Sequence, residues 1–89
     1  MNSKFVHDQA DALAQRILGS AKSTEQRVHL VFEIGHGRQP SKADFEAAVE
    51  FVTTYNEQSP RPNPPASQEE IWSSLARVIL TSNSFLFVD

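Results

Sequence analysis

The chain has 89 residues and no cysteine. Disulfide bonds, thiolate zinc sites, iron–sulfur clusters, thioether-linked haem and a cysteine nucleophile are therefore excluded within these residues. The lack of cysteine does not define the compartment, because secreted proteins can also do without disulfides.

Basic residues and long apolar runs are scarce as well. Eleven acidic and eight basic residues give a formal charge of −3, so composition offers no basic surface for nucleic-acid phosphates. No apolar stretch approaches the ~20 residues that cross a bilayer. The opening MNSKFVHDQADALAQ also lacks the apolar region and cleavage site of a signal peptide. We expect neither a membrane span nor an address signal in these residues, and the compartment stays open.

Apolar residues at helical spacing are abundant, and four segments show the 3.6-residue period of an amphipathic helix. We predict helix one from Phe5 to Ala21, helix two after Ser23, helix three from Ser41 to about Glu57, and helix four after Ser67. The last three begin with a serine that is followed three residues later by Gln26, Asp44 or Glu70, which is the spacing of a capping box. GHGRQP ends helix two, since glycine permits a left-handed turn and Pro40 prevents continuation.

A proline-rich stretch, residues 58–67, separates helices three and four, and it holds four of the five prolines. Such a stretch favours polyproline II over a helix. We interpret it as a stiff surface connector, with a ligand for an SH3- or WW-type groove as the less favoured alternative. Residues 1–89 are thus predicted to form one all-α domain, a small four-helix bundle with a proline-rich loop between helices three and four.

The predicted core takes the apolar stripe of each helix, with the single tryptophan as the main packing residue of helix four. Its members are Val6, Leu13, Ile17, Val28, Val31, Phe32, Phe45, Val49, Val52, Ile71, Trp72, Leu75 and Ile79.

The three histidines do not suggest a metal site. His29 and His36 are two helical turns apart, about 10 Å, which is too far for one ion. Glu33 and His36 have the spacing of a di-metal carboxylate motif, but such sites need a second copy and further glutamates. His7 and Asp11 form a surface pair at best. We predict solvated or turn histidines, no metal and no cofactor.

Patterns of nucleophilic catalysis and phosphate binding are also missing. The sequence has no G-x-S-x-G elbow, and GHGRQP lacks the third glycine and the preceding strand of a dinucleotide-binding loop. Arg38 can hold an anion or cover the carbonyls that end helix two, and we favour the structural role. We predict no catalytic, cofactor-binding or metal-binding residue, and an activity of this chain alone is the less favoured possibility.

A DNA-binding helix-turn-helix built from helices two and three is a further hypothesis, because Arg38 and Lys42 flank a tight turn. Helix three would then enter the major groove. Its exposed residues are expected to be acidic and to meet the phosphates with the wrong sign: Asp44, Glu46, Glu50 and Glu57. We therefore expect no nucleic-acid partner.

The chain ends in LTSNSFLFVD, whereas terminal segments are usually polar. Helix four is expected to loosen at Ser82–Ser84, since these residues compete for backbone hydrogen bonds. The chain can then turn back and bury either Phe85 with Phe87 or Leu86 with Val88 on the bundle.

Three stretches carry a family resemblance. NSKFVHDQADALAQRIL is similar to a stretch with an asparagine, a phenylalanine–valine pair and Q-A-x-x-L-A-x-R. GRQPSKADFEAAVEFV is similar to G-R-x-P-[ST]-x-x-E, and IWSSLARVILTSNSFLFVD to W-x-x-L-x-x-x-[LI]-[LF]-x-S-N-E-F-[LV]-Y-[VL]-D. These patterns resemble the C-terminal portion of the planctomycete domain of unknown function 1553, the PSD family. The matching positions are Phe5, Val6, Gln9, Ala10, Gly37, Arg38, Pro40, Ser41, Trp72, Leu75, Ser82, Asn83, Phe85 and Asp89.

The resemblance covers nearly all of the chain, with departures at His36, Ser84 and Phe87, where the family has an apolar residue, a glutamate and a tyrosine. It implies a terminal subdomain of a long protein that is exported or belongs to the cell envelope. Some members carry a cytochrome-c-like module, but this chain has no Cys-x-x-Cys-His.

From this context we expect a non-catalytic structural or protein-interaction subdomain of a larger planctomycete-type protein. Its partner would be the rest of the family domain or a companion domain, and the chain itself would be a monomer or weak oligomer. The alternative is an accessory helical subdomain of an enzyme whose site lies mainly upstream, for which His36, Arg38 and Asp89 are the groups to test.

Overall fold

The computed structural model describes residues 3–58 and 66–82. Within them the chain forms four α-helices: α1 (Ser3–Ser20), α2 (Thr24–His36), α3 (Lys42–Gln58) and α4 (Gln68–Leu80). The described residues contain no strand. The prediction of a small all-α four-helix bundle is confirmed, while residues 59–65 of the predicted proline-rich loop lie outside the described part.

Serine side chains begin three of the helices, as the sequence predicts. Each hydroxyl oxygen accepts a hydrogen bond of 3.1 Å from the backbone N–H three residues later: Ser23 from Gln26, Ser41 from Asp44, and Ser67 from Glu70. These bonds satisfy N–H groups that have no partner inside the helix. At the other end of α2, Gly37 adopts the left-handed conformation with φ of 73°.

Removal of the N-cap hydrogen bond of α4 should lower the stability of the chain by a measurable amount. We expect Ser67→Ala to lower the free energy of unfolding by about 1 kcal/mol, because the N–H of Glu70 loses its acceptor at the start of α4. Ser67→Asp, which restores an acceptor, should recover most of the loss. Urea denaturation followed by circular dichroism measures both, with the exposed Ser20 as the control site. A loss no larger than that of Ser20→Ala would contradict the assignment.

Helices α2 and α4 form the centre of the bundle, because each packs against the other three helices, whereas α1 and α3 do not contact each other. Contacts of His7 with Arg77 and of Asp11 with Ser73 show that α1 and α4 run antiparallel. A contact between His36 and Ile79 joins the ends of α2 and α4. The C-terminal ends of these two helices therefore lie side by side, where the chain leaves α4.

Most of the predicted core is confirmed. Of its members, Val6, Leu13, Ile17, Val28, Val31, Phe32, Ile71, Trp72, Leu75 and Ile79 are buried. Phe45, Val49 and Val52 of α3 pack against the core but are only partly buried, so the prediction holds for their contact and not for their full burial, while Ala48 is fully buried. Because α3 contacts α2 and α4 but not α1, it covers one side of the core and contributes only Ala48 to the fully buried cluster.

The expected exposure of Asp44 is also wrong. Asp44 is 4% exposed and lies in the first turn of α3, where the positive end of the helix dipole favours a carboxylate. Glu46 and Glu50 are exposed as expected, and the side chain of Glu57 lies outside the described residues.

Candidate functional site

Two cavities adjoin at the C-terminal end of α4 and share Leu80 as a wall. The first, which we call the apolar groove, has a volume of about 270 Å³ and is lined by Gln9, Ala12, Leu13, Arg16, Ile34 and Leu80. The second, which we call the corner cavity, has a volume of about 470 Å³ and is lined by Gly35, His36, Arg38, Ile79, Leu80 and Ser82. Together they bring residues of α1, α2, α4 and the turn after α2 onto one face.

Gly35 lets α2 and α4 approach closely beside the corner cavity. A Cβ atom at this position would lie 2.9 Å from Cγ2 of Ile79, which is too short for a real carbon–carbon contact. The helical spacing of Val28, Val31, Phe32 and Gly35 puts Gly35 on the apolar side of α2, but it does not indicate this need for space. The reason appears only when the two helices are brought together.

His36 connects the end of α2 to the end of α4. Its Nε2 lies 2.8 Å from the carbonyl oxygen of Ile79, and since a carbonyl only accepts, Nε2 must donate the proton. The ring also makes an edge contact with Phe32, at 5.5 Å between centroids. The carbonyls of the last helical turn have no partner within the helix, so His36 caps α4 from outside. The prediction of a solvated or turn histidine is therefore wrong.

The other ring nitrogen of His36, Nδ1, does not take part in this hydrogen bond. In the neutral ring with the proton on Nε2, Nδ1 carries only a lone pair, and it is buried with no hydrogen-bond partner in the described part of the chain. Buried polar atoms are usually paired. This atom is therefore a buried polar group, on a residue that lines the corner cavity, with unused hydrogen-bonding capacity.

Gly37 and Gly19 offer a matched pair of substitutions. We expect Gly37→Ala to lower the free energy of unfolding by about 1–2 kcal/mol, because its φ of 73° is unfavourable for a residue with a Cβ atom. Gly19→Ala should instead raise it by about 0.5–1 kcal/mol, since Gly19 is helical and a Cβ there would meet no atom within 4 Å. Thermal denaturation compares the two, and shifts of the same sign would contradict the argument.

A third cavity of about 400 Å³ lies between α1 and α4 and is polar. The hydroxyl of Ser73 donates to Oδ1 of Asp11 at 2.5 Å, and Nη1 of Arg77 lies 3.3 Å from Nε2 of His7. Arg77 also donates to the hydroxyl oxygen of Ser74. His7 and Asp11 thus each have a partner on α4. Sequence spacing could not predict these partners, because 62 and 70 residues separate them along the chain.

The polar cavity does not have the arrangement of a catalytic triad. Ser73 is hydrogen-bonded to a carboxylate, and His7 contacts the guanidinium group of Arg77. A triad instead requires the histidine to accept from the serine hydroxyl while the carboxylate orients that histidine. The contacts fasten α1 to α4 and provide no activated nucleophile.

The remaining histidine fastens the turn between α2 and α3. Nδ1 of His29 lies 2.8 Å from Oε1 of Gln39, whose Nε2 donates to Glu33. The His29 ring also packs on Phe45, with 4.9 Å between centroids. Residues 3–58 and 66–82 contain no group of three or more metal-binding side chains. In the same residues, no helix is long and apolar enough to span a membrane.

Most residues of the family resemblance have a structural position. Val6, Ala10, Trp72 and Leu75 are buried. Gly37 adopts the left-handed conformation, and Pro40 is half-buried. Ser41 caps α3, and the Ser82 hydroxyl donates to the Val78 carbonyl. Asn83, Phe85 and Asp89 lie outside the described residues. Phe5, Gln9, Gly37, Arg38 and Ser41 are exposed. Of these, Gln9 and Arg38 line the two cavities that meet at Leu80.

The fold and these contacts define the chain as a small all-α bundle whose polar groups mainly join helices. No family model, curated protein or solved structure matches the chain.

Proposed function

We propose that the chain is a non-catalytic structural or protein-interaction subdomain of a larger, exported planctomycete-type protein. The observation that supports this proposal most is that its histidine and aspartate side chains form hydrogen bonds that join structural elements. His36 is hydrogen-bonded to the carbonyl group of Ile79 at the end of α4, and His29 contacts Gln39 in the turn after α2. Asp11 of α1 accepts a hydrogen bond from Ser73 of α4. Side chains committed to such bonds stabilise a bundle and are poorly placed to take part in proton transfer.

The resemblance to the PSD family supplies the partner in this proposal, namely the rest of the family domain or its companion domain. The corner cavity is the surface we assign to that contact. Arg38 lines it, is exposed, and belongs to the G-R-x-P-[ST] pattern. A guanidinium group on a cavity rim suits recognition of carboxylates on a protein partner.

A titration tests the proposal. The ¹⁵N-labelled chain is mixed with the polypeptide encoded directly upstream in the same reading frame, and amide shifts are followed by NMR. We expect the shifts to concentrate around the corner cavity, and we expect Arg38→Glu to weaken binding roughly tenfold or more. Lys22→Glu is the matched control, since this exposed lysine precedes α2 and lies about 20 Å of helix away from the corner.

Two results would contradict the proposal. One is turnover of a small molecule by the isolated chain with no partner present. The other is a titration in which Arg38→Glu and Lys22→Glu behave alike, because the interaction would then not depend on the corner cavity.

The second candidate function is an accessory subdomain of an enzyme whose site lies mainly upstream. The unpaired Nδ1 of His36 beside a cavity that Arg38 lines favours it, and Asp89, outside the described residues, is the third group. Alanine substitutions at these positions test it in the full-length protein. Unchanged activity in all three variants would remove the idea.

The third candidate, a DNA-binding helix-turn-helix, has the weakest support. The exposed acids Glu46 and Glu50 of α3 would repel the phosphate backbone. A mobility-shift assay at low salt tests it, and we expect no complex.

A further inference from the structure

The polar cavity between α1 and α4 has charged side chains of both signs. It has a volume of about 400 Å³, and its charged or titratable lining consists of His7 and Asp11 on α1 and Glu69, Glu70 and Arg77 on α4. Three carboxylates and one guanidinium group give this lining a formal charge of −2 when His7 is counted as neutral. Small-molecule sites have volumes of roughly 300–1,000 Å³. The cavity can therefore hold a small polar molecule, and its charge favours a ligand with a net positive charge.

The antiparallel packing of α1 and α4 arranges the charged groups in three levels. His7 lies beside Arg77 at one end, and Asp11 lies beside Ser73 in the middle. Glu69, four residues before Ser73, lines the same cavity at the other end. Because four residues of a helix rise about 6 Å, the guanidinium level and the Glu69 level are about 12 Å apart along α4. The acceptor in the middle is the carboxylate of Asp11.

Arg77 is half-buried and has no negatively charged partner in the described part of the chain. Its Nη1 lies 3.3 Å from Nε2 of His7, and its Nη2 donates to the hydroxyl oxygen of Ser74 at 3.3 Å. Neither an imidazole nor a hydroxyl group supplies a negative charge. Since a guanidinium group has five N–H donors, Arg77 keeps donors and a positive charge with which to bind a carboxylate.

The other two levels offer acceptors for positively charged groups. Asp11 is exposed and accepts from Ser73 through Oδ1, which leaves Oδ2 as an acceptor for an ammonium group. Glu69 is exposed in the first turn of α4. The distance between these levels, about 6 Å, is close to the length of an extended four-carbon side chain. The order of groups along the cavity is thus one cation followed by two carboxylates at this spacing.

We propose that the polar cavity binds a free basic α-amino acid of the lysine class. The carboxylate of the ligand binds Arg77, its α-ammonium group binds Asp11, and its side-chain cation lies beside Glu69. The two positive charges and one negative charge of the ligand are complementary to the sign and order of the charges in the cavity. The binding is reversible and involves no reaction, so this proposal goes beyond the proposed function and is independent of it.

A titration with L-lysine tests the site. The ¹⁵N-labelled full chain is titrated at low salt, and amide shifts are followed by NMR. We expect shifts that concentrate around Asp11, Ser73 and Arg77 and saturate with a dissociation constant on the order of 1 mM for so small a ligand. Shifts that do not saturate well above this concentration would overturn the proposal, and so would saturable shifts centred elsewhere.

Three analogues each remove one charged group of lysine. Cadaverine lacks the carboxylate, Nα-acetyl-L-lysine lacks the α-ammonium group, and L-norleucine lacks the side-chain cation. We expect each analogue to bind roughly five- to tenfold more weakly than L-lysine, as suits charged hydrogen bonds in a partly exposed site. An analogue that binds as tightly as L-lysine would overturn the assignment of the group that it lacks.

Substitutions test which residue recognises which group. In Arg77→Gln, L-lysine should lose its preference over cadaverine and keep its preference over L-norleucine, whereas Glu69→Gln should have the opposite effect. Arg16→Gln is the matched control, since Arg16 is exposed and lines the apolar groove on another side of α1. Equal losses in Arg77→Gln and Arg16→Gln would overturn the site.

The exposed position of Glu69 protects the test against a folding defect. If Arg77→Gln does not fold, Glu69→Gln and the three analogues still decide the outcome, and circular dichroism shows which variants are folded. Loss of partner binding in Arg38→Glu bears on the proposed function and not on this cavity.

Discussion

Trp72→Ala is expected to lower the free energy of unfolding by about 3–5 kcal/mol. Trp72 is fully buried and is the largest of the fully buried side chains, and its helix α4 packs against each of the other three helices. Its indole N–H donates to Gln68, and the Arg27 guanidinium lies 5.9 Å from the ring centroid. Since small domains are stable by only about 5–15 kcal/mol, this loss removes a large part of the total stability.

Trp72→Phe distinguishes the contribution of ring packing to stability from that of the indole hydrogen bond. It keeps most of the packing but leaves Oε1 of Gln68 without its 3.2 Å donor from the indole, so we expect a smaller loss of about 1–2 kcal/mol. Urea denaturation followed by far-ultraviolet circular dichroism suits these variants, because tryptophan fluorescence is lost. The exposed Glu46→Ala serves as the control. The packing argument fails if Trp72→Ala costs no more than Glu46→Ala.

Deletion of residues 85–89 is expected to have an effect of similar size. These residues lie outside the described part of the chain, and the expectation follows from their apolar composition. Burial of two apolar side chains at roughly 1.5–3 kcal/mol each would contribute about 3–6 kcal/mol. A melting curve of the shortened chain that matches the intact one would refute the prediction.

Paired serine substitutions decide which side chains are buried. Alternate residues of an extended segment point to opposite sides, so only one of the two pairs, Phe85 with Phe87 or Leu86 with Val88, should matter strongly. We expect one double variant to melt well below the other. Equal and negligible shifts would mean that neither pair packs on the bundle.

The helices were predictable because their determinants are local. Capping uses residues three positions apart, and the bonds at Ser23, Ser41 and Ser67 form as the spacing predicts. The apolar period of 3.6 residues predicts which side of each helix is covered. This held well for α1, α2 and α4, whose stripes are almost entirely buried.

Predictions failed where the outcome depended on which helices meet. Phe45, Val49 and Val52 have a helical apolar period, but α3 lies to one side of the core and leaves them partly exposed. Asp44 is buried although its position on the helix suggested exposure. The apolar repeat of a helix predicts which side of the helix is apolar, but it does not predict how deeply the residues on that side are buried.

The candidate site depends even more on the tertiary structure. GHGR indicates a turn, yet Gly35 is needed for the approach of Ile79 and His36 for the cap on α4, 43 residues away. The sequence by itself determined four helices, their starts and most of their buried sides, because neighbouring residues decide these features. Only the tertiary structure decided the partners of His36, Asp11 and His7 and the groove beside Leu80, because distant segments must meet before such contacts exist.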